Sequence, residues 1–97
     1  MSLVVLYSRP GCHLCEQARD TILSLRDGGA PLELREVDID RDDELQARFM
    51  ERIPVVELDG EIVAELHLDP EVLRLALAAR RTGTVRPVTR EAETERR

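Results

Sequence analysis

The chain has 97 residues, 42% of them hydrophobic, and its fourteen basic residues, all arginine, stand against twenty acids to give a formal net charge of −6. This length suits one domain with a single core, and the negative charge argues against nucleic-acid or anionic-membrane binding. No apolar run is long enough to span a membrane, and Met1-Ser2 leads straight into a predicted strand without the layout of a signal peptide. We therefore expect a cytoplasmic, monomeric protein.

The first half of the chain predicts a strand, a helix and a second strand. Residues 3–7 are a continuous apolar run, as in a central strand covered on both faces. After the turn at residues 9–11, apolar residues recur at helical spacing and predict the buried stripe Leu14, Ala18, Ile22 and Leu25. Gly28, Gly29 and Pro31 end this helix. Residues 32–39 predict a second strand, whose interrupted alternation favours an edge position or a bulge.

The acidic run at residues 38–44 predicts the start of a second helix. Asp40 is placed to cap it, and acids in its first turn complement the helix dipole. We interpret the run as a solvated helix start rather than a metal site. Leu45 and Phe49 form an i, i+4 apolar pair on this helix, which must end before Pro54.

The rest of the folded part predicts a hairpin and a third helix. Residues 54–58 and 61–66 are two short strands joined at Asp59-Gly60, a hairpin turn signal. Asp69-Pro70-Glu71 then begins a helix. Its predicted packed stripe is Val72, Leu73, Ala76 and Leu77, and it closes at Arg80, Arg81 and Gly83.

These elements give the order βαβαββα in one domain, which we place at residues 1–83. Residues 84–97, TVRPVTREAETERR, have no apolar period and predict a disordered tail. A partner-docking segment is the alternative interpretation of the tail.

Chemistry is concentrated at Cys12 and Cys15, the only cysteines. A spacing of three places them on one face of a helix with Cβ atoms about 5–6 Å apart, close to the roughly 3.5–4.5 Å of a disulfide. The helix start stabilises a thiolate and can lower the pKa of Cys12 from about 8.5 to about 7. We therefore expect Cys12 to be the nucleophile and Cys15, one turn deeper and more buried, to be the resolving thiol.

Two other uses of the cysteine pair are a structural zinc site and inert core thiols. Zinc needs four ligands, and beyond the pair the chain offers only His13 and His67. His13 points off the cysteine face, and His67 is interpreted as a strand-end residue. We therefore predict no metal and favour redox chemistry, which C-x-x-C in a βαβ context indicates.

The segment Tyr7-Ser8-Arg9-Pro10-Gly11-Cys12-His13-Leu14-Cys15 resembles the Y-S-x-P-x-C-x-x-C opening of glutaredoxins. The resemblance covers about residues 2–81 and is closest to short bacterial glutaredoxin-like proteins of unassigned substrate. It implies an α/β thioredoxin-like fold of the glutaredoxin type, with a four-stranded mixed sheet flanked by helices. His13 resembles the histidine of oxidising C-x-x-C proteins, and an exposed spacer is the alternative.

The resemblance also implies substrate-binding residues. Arg52-Ile53-Pro54 matches the cis-proline segment of the family, so Pro54 should be cis and lie against the cysteines. The main chain of Ile53 should then be free to pair with a peptide or glutathione. Arg9 matches an often basic position, where it would lower the Cys12 pKa or hold a glutathione carboxylate; a solvated loop arginine is the alternative.

The chain departs from the family before its last helix. Glutaredoxins carry a Gly-Gly there that holds the γ-glutamyl carboxylate of glutathione, whereas this chain has Ala64-Glu65-Leu66-His67-Leu68-Asp69. It departs from thioredoxins too, since Gly11 and Leu6 stand where those proteins have Trp and a buried Asp. We therefore expect glutathione to serve this protein poorly.

The leading hypothesis is a glutaredoxin-like thiol–disulfide oxidoreductase without a bound cofactor. Its substrates would be protein or glutathione disulfides, with glutathione as a possible co-substrate and either glutathione or thioredoxin reductase as the source of electrons. The alternative is a regulatory binding module that senses oxidation without turnover.

Truncation after Gly83 should leave thermal stability and thiol reactivity nearly unchanged, because the removed segment has no apolar period. Melting curves and alkylation rates of the two chains would test this. A clear fall in melting temperature would show that the tail packs on the domain.

Overall fold

The computed structural model describes residues 1–82, and it forms a four-stranded mixed sheet with three α-helices. The predicted α/β fold and element order are confirmed. The strands are β1 (Ser2–Ser8), β2 (Leu32–Asp38), β3 (Val55–Leu58) and β4 (Glu61–Glu65); the helices are α1 (His13–Asp27), α2 (Asp43–Phe49) and α3 (Pro70–Thr82). Within these residues no helix is long and apolar enough to cross a membrane. The predicted tail and the domain end at Gly83 lie outside the described residues.

The sheet order is β2-β1-β3-β4, so β1 is central and β2 lies at an edge, both as predicted. β1 pairs with β2 in parallel and with β3 antiparallel, and β3 pairs antiparallel with β4. The predicted Asp59-Gly60 turn joins β3 to β4, and both of its residues have positive φ, 50° and 93°. This conformation is typical of a two-residue hairpin, and glycine adopts it without steric cost.

Side chains alternate across the central strands and build a core on each face of the sheet. On one face, Val4, Leu6, Val56 and Leu58 pack with residues of α1 and α3; those helical residues are Ala18, Ile22, Leu73 and Leu77. On the other face, Phe49 of α2 packs with Ile39, Val55, Tyr7, Leu45 and Ile53. The centroids of the Tyr7 and Phe49 rings are 4.7 Å apart. β1 is therefore covered on both faces, as its apolar run predicted.

Two predicted boundaries in the acidic run are wrong. β2 ends at Asp38, and residues Ile39–Arg41 form a 3-10 turn capped by Asp38, whose Oδ1 accepts from the Asp40 amide at 2.9 Å. The cap of α2 is Asp42 rather than Asp40, since Asp42 Oδ1 accepts from the amides of Glu44 and Leu45 at 2.9 and 3.2 Å. Residues 38–43 include four aspartates, each of which could cap a helical turn, so the sequence alone does not select the cap of α2.

α3 begins as predicted, with Pro70 as its first residue and Asp69 Oδ1 accepting from the Glu71 amide at 2.9 Å. Leu73 and Leu77 are buried and Ala76 packs against them, but Val72 is 46% exposed. Adjacent helical residues project about 100° apart, so with Leu73 facing the sheet Val72 lies at the edge of the stripe. Its predicted burial is wrong.

Phe49→Ala should lower the free energy of unfolding by about 3–5 kcal/mol, because the buried ring fills the smaller core beneath β1 and β3. Leu75, which is 55% exposed, provides the control, and Leu75→Ala should change that free energy by less than about 0.5 kcal/mol. Urea denaturation measures both. Equal losses in the two variants would contradict this assignment of the core.

Candidate active site

Three chain segments lie together at the end of the strands where β1 finishes and β3 begins, which is named the active edge of the sheet. The register pairs Ser8 with Asp38, Tyr7 with Val55, and Val55 with Glu65. The turn into α1, the segment before β3 and the segment after β4 therefore leave the sheet side by side. This edge gathers the predicted site residues Arg9, Cys12, Cys15, Ile53 and Pro54.

Cys12 is the N-cap of α1 rather than a residue of its first turn, since the helix begins at His13. Its backbone is extended, with φ −91° and ψ 107°, and its Sγ accepts a hydrogen bond from the Cys15 amide at 3.1 Å. Gly11, directly before it, has φ +81°, a conformation that glycine adopts readily and that turns the chain from Pro10 into the helix. The sulfur therefore takes the place of a capping oxygen at the positive end of α1.

Cys12 and Cys15 are joined by a disulfide, with their Cα atoms 5.2 Å apart. Cys15 is only 3% exposed, whereas Cys12 is partly exposed. The predicted difference in burial is confirmed. Solvent and substrate can therefore reach Cys12, while Cys15 can be reached mainly through its partner.

Leu14, between the cysteines, is 47% exposed, so its predicted place in the buried stripe is wrong. The buried positions of α1 are Cys15, Ala18 and Ile22. Leu14 comes one position before Cys15 and projects about 100° away from it around the helix. The result is an apolar side chain on the surface next to the disulfide.

The charged side chains at this edge are paired. Arg9 Nε lies 3.3 Å from Asp40 Oδ2, and this ion pair orients the guanidinium toward the 3-10 turn. The His13 side chain is 94% exposed and its Nδ1 lies 3.9 Å from Glu16 Oε1, which agrees with an exposed spacer. The predicted effect of Arg9 on Cys12 or on a carboxylate stays a prediction.

The Ile53-Pro54 peptide bond is cis, as the resemblance implied, and Pro54 is buried. The expectation that the main chain of Ile53 is free is wrong for its amide. Ile53 N–H donates to Phe49 O at 3.0 Å, because the chain leaves α2 in a tight turn there. Within residues 1–82 the Ile53 carbonyl accepts no backbone hydrogen bond. The main chain of residues 52–54 therefore has an open carbonyl acceptor and no open N–H donor.

Arg52 and Glu65 form an ion pair across the same edge, between the segment before β3 and the end of β4. The hydrogen bond with Glu65 raises the pKa of Arg52 above its ordinary value, so the guanidinium stays charged. Arg52 Cζ also lies 5.7 Å from the centroid of the Phe49 ring. The charge of Arg52 is therefore already partnered by Glu65.

Leu66 has φ +69°, the left-handed conformation, and its side chain is 52% exposed. Its amide donates to Arg52 O at 3.0 Å and to Pro54 O at 2.9 Å, and these bonds hold the backbone in this conformation. A left-handed residue other than glycine costs about 1–2 kcal/mol. Sequence reasoning missed this residue, because no neighbouring residue type signals a left-handed leucine.

The two residues that stand where glutaredoxins carry Gly-Gly are part of a strand. Ala64 and Glu65 lie in β4 and pair with Val56 and Val55 of β3. The residue with a glycine-like conformation is Leu66. The left-handed position in this segment is therefore occupied by a leucine rather than by a glycine.

No group of three or more His, Cys, Asp or Glu residues lies close enough to hold a metal ion anywhere in residues 1–82. This edge instead carries a disulfide whose Cys12 Sγ accepts from the Cys15 amide, together with paired charges and the exposed Leu14 and Leu66.

The chain matches the model of the "Glutaredoxin-like domain (DUF836)" family over residues 3–78. It belongs to this glutaredoxin-like family. Among solved structures, protein Ne2328 from Nitrosomonas europaea is 27% identical with a TM-score of 0.68, covering 77% of this chain and 89% of that chain. A structural-genomics target from X. campestris is 32% identical with a TM-score of 0.65, covering 78% of this chain and 96% of that chain.

A mutant thioredoxin from Halobacterium salinarum, 19% identical, has a TM-score of 0.61 and covers 80% of this chain and 73% of that chain. At this identity the likeness shows the fold alone, which is the thioredoxin-like fold that the sequence predicted. None of the curated proteins matches the chain. A glutaredoxin-like domain that carries a C-x-x-C pair fits a thiol–disulfide oxidoreductase.

In the reduced protein, Cys12 should be the fast-reacting thiol, because the Cys15 amide stabilises a thiolate at its Sγ and Cys15 is buried. Alkylation by iodoacetamide against pH should show a thiolate forming below about pH 7.5. Cys12→Ser should lose this phase, and Cys15→Ser should keep it. If Cys15 carries the fast phase, the roles of the two thiols are reversed.

Proposed function

We propose that this glutaredoxin-like protein is a thiol–disulfide oxidoreductase with Cys12 as nucleophile and Cys15 as resolving thiol. The observation that carries the proposal is the capping contact of Cys12 Sγ with the Cys15 amide at the start of α1, combined with the opposite exposures of the two sulfurs. A thiolate attacks disulfides, and a helix start with a donated hydrogen bond favours that form.

The reaction runs in two displacements. Cys12 thiolate attacks one sulfur of a substrate disulfide, forms a mixed disulfide with it and releases the other sulfur as a thiolate, which takes up a proton. Cys15 then loses its proton and attacks Cys12 Sγ, and the second substrate thiol leaves. The substrate has gained two electrons and two protons, and the protein holds the Cys12–Cys15 disulfide.

The dithiol itself carries the electrons, so the proposal needs no bound cofactor. A second thiol compound or a reductase must restore the reduced pair. Glutathione and thioredoxin reductase are the two candidate reductants. The substrates we propose are disulfides of proteins or of glutathione, in the cytoplasm.

Two contacts support a poor fit to glutathione. The amide of Ile53 is already bonded to Phe49, so it is not available to the tripeptide. Arg52 is paired with Glu65, which leaves a glutathione carboxylate without that partner. Each lost charge-assisted contact is worth about 1.5–3 kcal/mol.

Catalysis is tested by supplying bis(2-hydroxyethyl) disulfide in large excess with either glutathione and glutathione reductase or thioredoxin reductase, each with NADPH. An oxidoreductase should complete many turnovers with at least one system, and Cys12→Ser should abolish them. Oxidation of the protein after a single equivalent, with no further turnover under either system, would instead support the redox-sensing module.

Glu65→Gln should raise the rate with a glutathione mixed disulfide by several-fold, because it frees Arg52 to meet a glutathione carboxylate without changing side-chain size. A coupled assay with glutathione reductase measures the rate. Glu61→Gln is the matched control, since Glu61 pairs with Arg80 at the opposite end of β4. Similar rates for wild type and both variants, all typical of dithiol glutaredoxins, would show that the Arg52–Glu65 pair does not limit glutathione use.

A further inference from the structure

Leu66 combines a left-handed backbone with an exposed apolar side chain. Its backbone is left-handed, with φ +69°, and about half of its side chain faces solvent, 52% by exposure. A buried leucine would offset the backbone cost by packing, and a glycine or asparagine would avoid it. Strained residues of this kind concentrate at functional sites, where the strained conformation positions a group that acts on a ligand.

The position of Leu66 points to the cysteine pair. Its amide donates to Arg52 O and Pro54 O, the carbonyls on either side of Ile53, so residue 66 is fastened to the segment at the active edge of the sheet. Leu14, 47% exposed between the two cysteines, is a second apolar side chain at this edge. The adjacent charges of Arg52 and Glu65 neutralise each other. Leu66 is therefore an exposed apolar side chain beside a charge pair that carries no net charge.

On the basis of the function proposed above, we propose that Leu66 is a specificity-determining residue. Its side chain selects disulfides of polypeptides in which an apolar residue flanks the reacting cysteine. Contact between that residue and Leu66 removes apolar surface from water when Cys12 attacks. The Ile53 carbonyl, which accepts no backbone bond within residues 1–82, is placed to accept from a substrate amide in the same segment.

The chemistry of this edge favours a polypeptide over a small charged thiol. A cysteine inside a polypeptide brings a neighbouring side chain for Leu66, in addition to the amide N–H that glutathione also has. Glutathione instead brings a carboxylate on each side of its cysteine, and the Arg52 guanidinium that could receive one is held by Glu65. The occupant we propose is thus an uncharged, apolar-flanked segment of a disulfide-bonded protein.

The test compares single turnovers of pre-reduced protein with three disulfides, so that no physiological reductant is needed. Two are homodimers of blocked pentapeptides with cysteine in the middle, flanked on both sides by leucine in one and by asparagine in the other. The third is bis(2-hydroxyethyl) disulfide, which has no side chain to offer. Acid quenching at successive times and chromatography of the released thiol give the second-order rate constants.

We expect wild type to react about tenfold faster with the leucine peptide than with the asparagine peptide, equivalent to about 1.4 kcal/mol. Leu66→Asn, which tolerates the left-handed backbone, should bring the two peptides within about twofold of each other. Each peptide rate is divided by the rate of the same variant with bis(2-hydroxyethyl) disulfide, which has no side chain for residue 66 to contact. Loss of the thiol chemistry itself would lower all three rates together.

Two further variants keep the test decisive. Leu66→Gly suits a positive φ, so it should melt no lower than wild type and should lose the preference in the same way. Leu75→Gln removes an equally exposed leucine from α3 and should keep the wild-type preference. A wild-type preference that persists in Leu66→Asn and Leu66→Gly, or that is absent from wild type, would overturn the inference alone. Failure of wild type to reduce any of the three disulfides would overturn the proposed function and this inference with it.

Discussion

The antiparallel pairing of β1 with β3 is the interaction on which the candidate active site depends. It sets Tyr7 beside Val55, so the chain leaving β1 toward Cys12 runs past the chain entering β3 from Ile53 and Pro54. Successive β3 side chains lie on opposite faces of the sheet, so Val56 belongs to one core and Val55 to the other. A slip of one residue would turn every β3 side chain to the wrong face. The cost of that exchange fixes the register, and the register fixes the neighbours of the cysteines.

Around the cysteines, the charged side chains form ion pairs with one another, and the group that contacts Cys12 Sγ is a backbone amide. Arg9 is paired with Asp40, Arg52 with Glu65 and His13 with Glu16. What remains aimed at Cys12 is the amide of Cys15 at the start of α1. A fixed amide needs no reorientation as charge forms on the sulfur, whereas a solvated arginine is screened by salt.

Sequence patterns predicted the elements of the fold well because each has its own local signal. β1 shows an unbroken apolar run, the hairpin shows Asp59-Gly60, and α3 shows an aspartate-proline start. The patterns failed where burial or capping depends on neighbours. Helical spacing could not tell that Leu14, next to Cys15, and Val72, next to Leu73, face solvent. Nor could it choose among successive aspartates, where the chain's turn after β2 decided for Asp42.

In the candidate site, too, the features with a local sequence signal could be predicted and those that depend on tertiary contacts could not. The C-x-x-C spacing and the turn before it are local, so the cysteine pair and its difference in burial could be predicted from sequence. The engagement of the Ile53 amide by Phe49 and the double hydrogen bond of the Leu66 amide are tertiary contacts between segments far apart in sequence, and no motif encodes them. These contacts leave the segments beside the cysteines with an open Ile53 carbonyl and an exposed Leu66 side chain. The motif thus predicts thiol–disulfide chemistry, and we propose that the packing of the segments beside it selects which disulfide reacts.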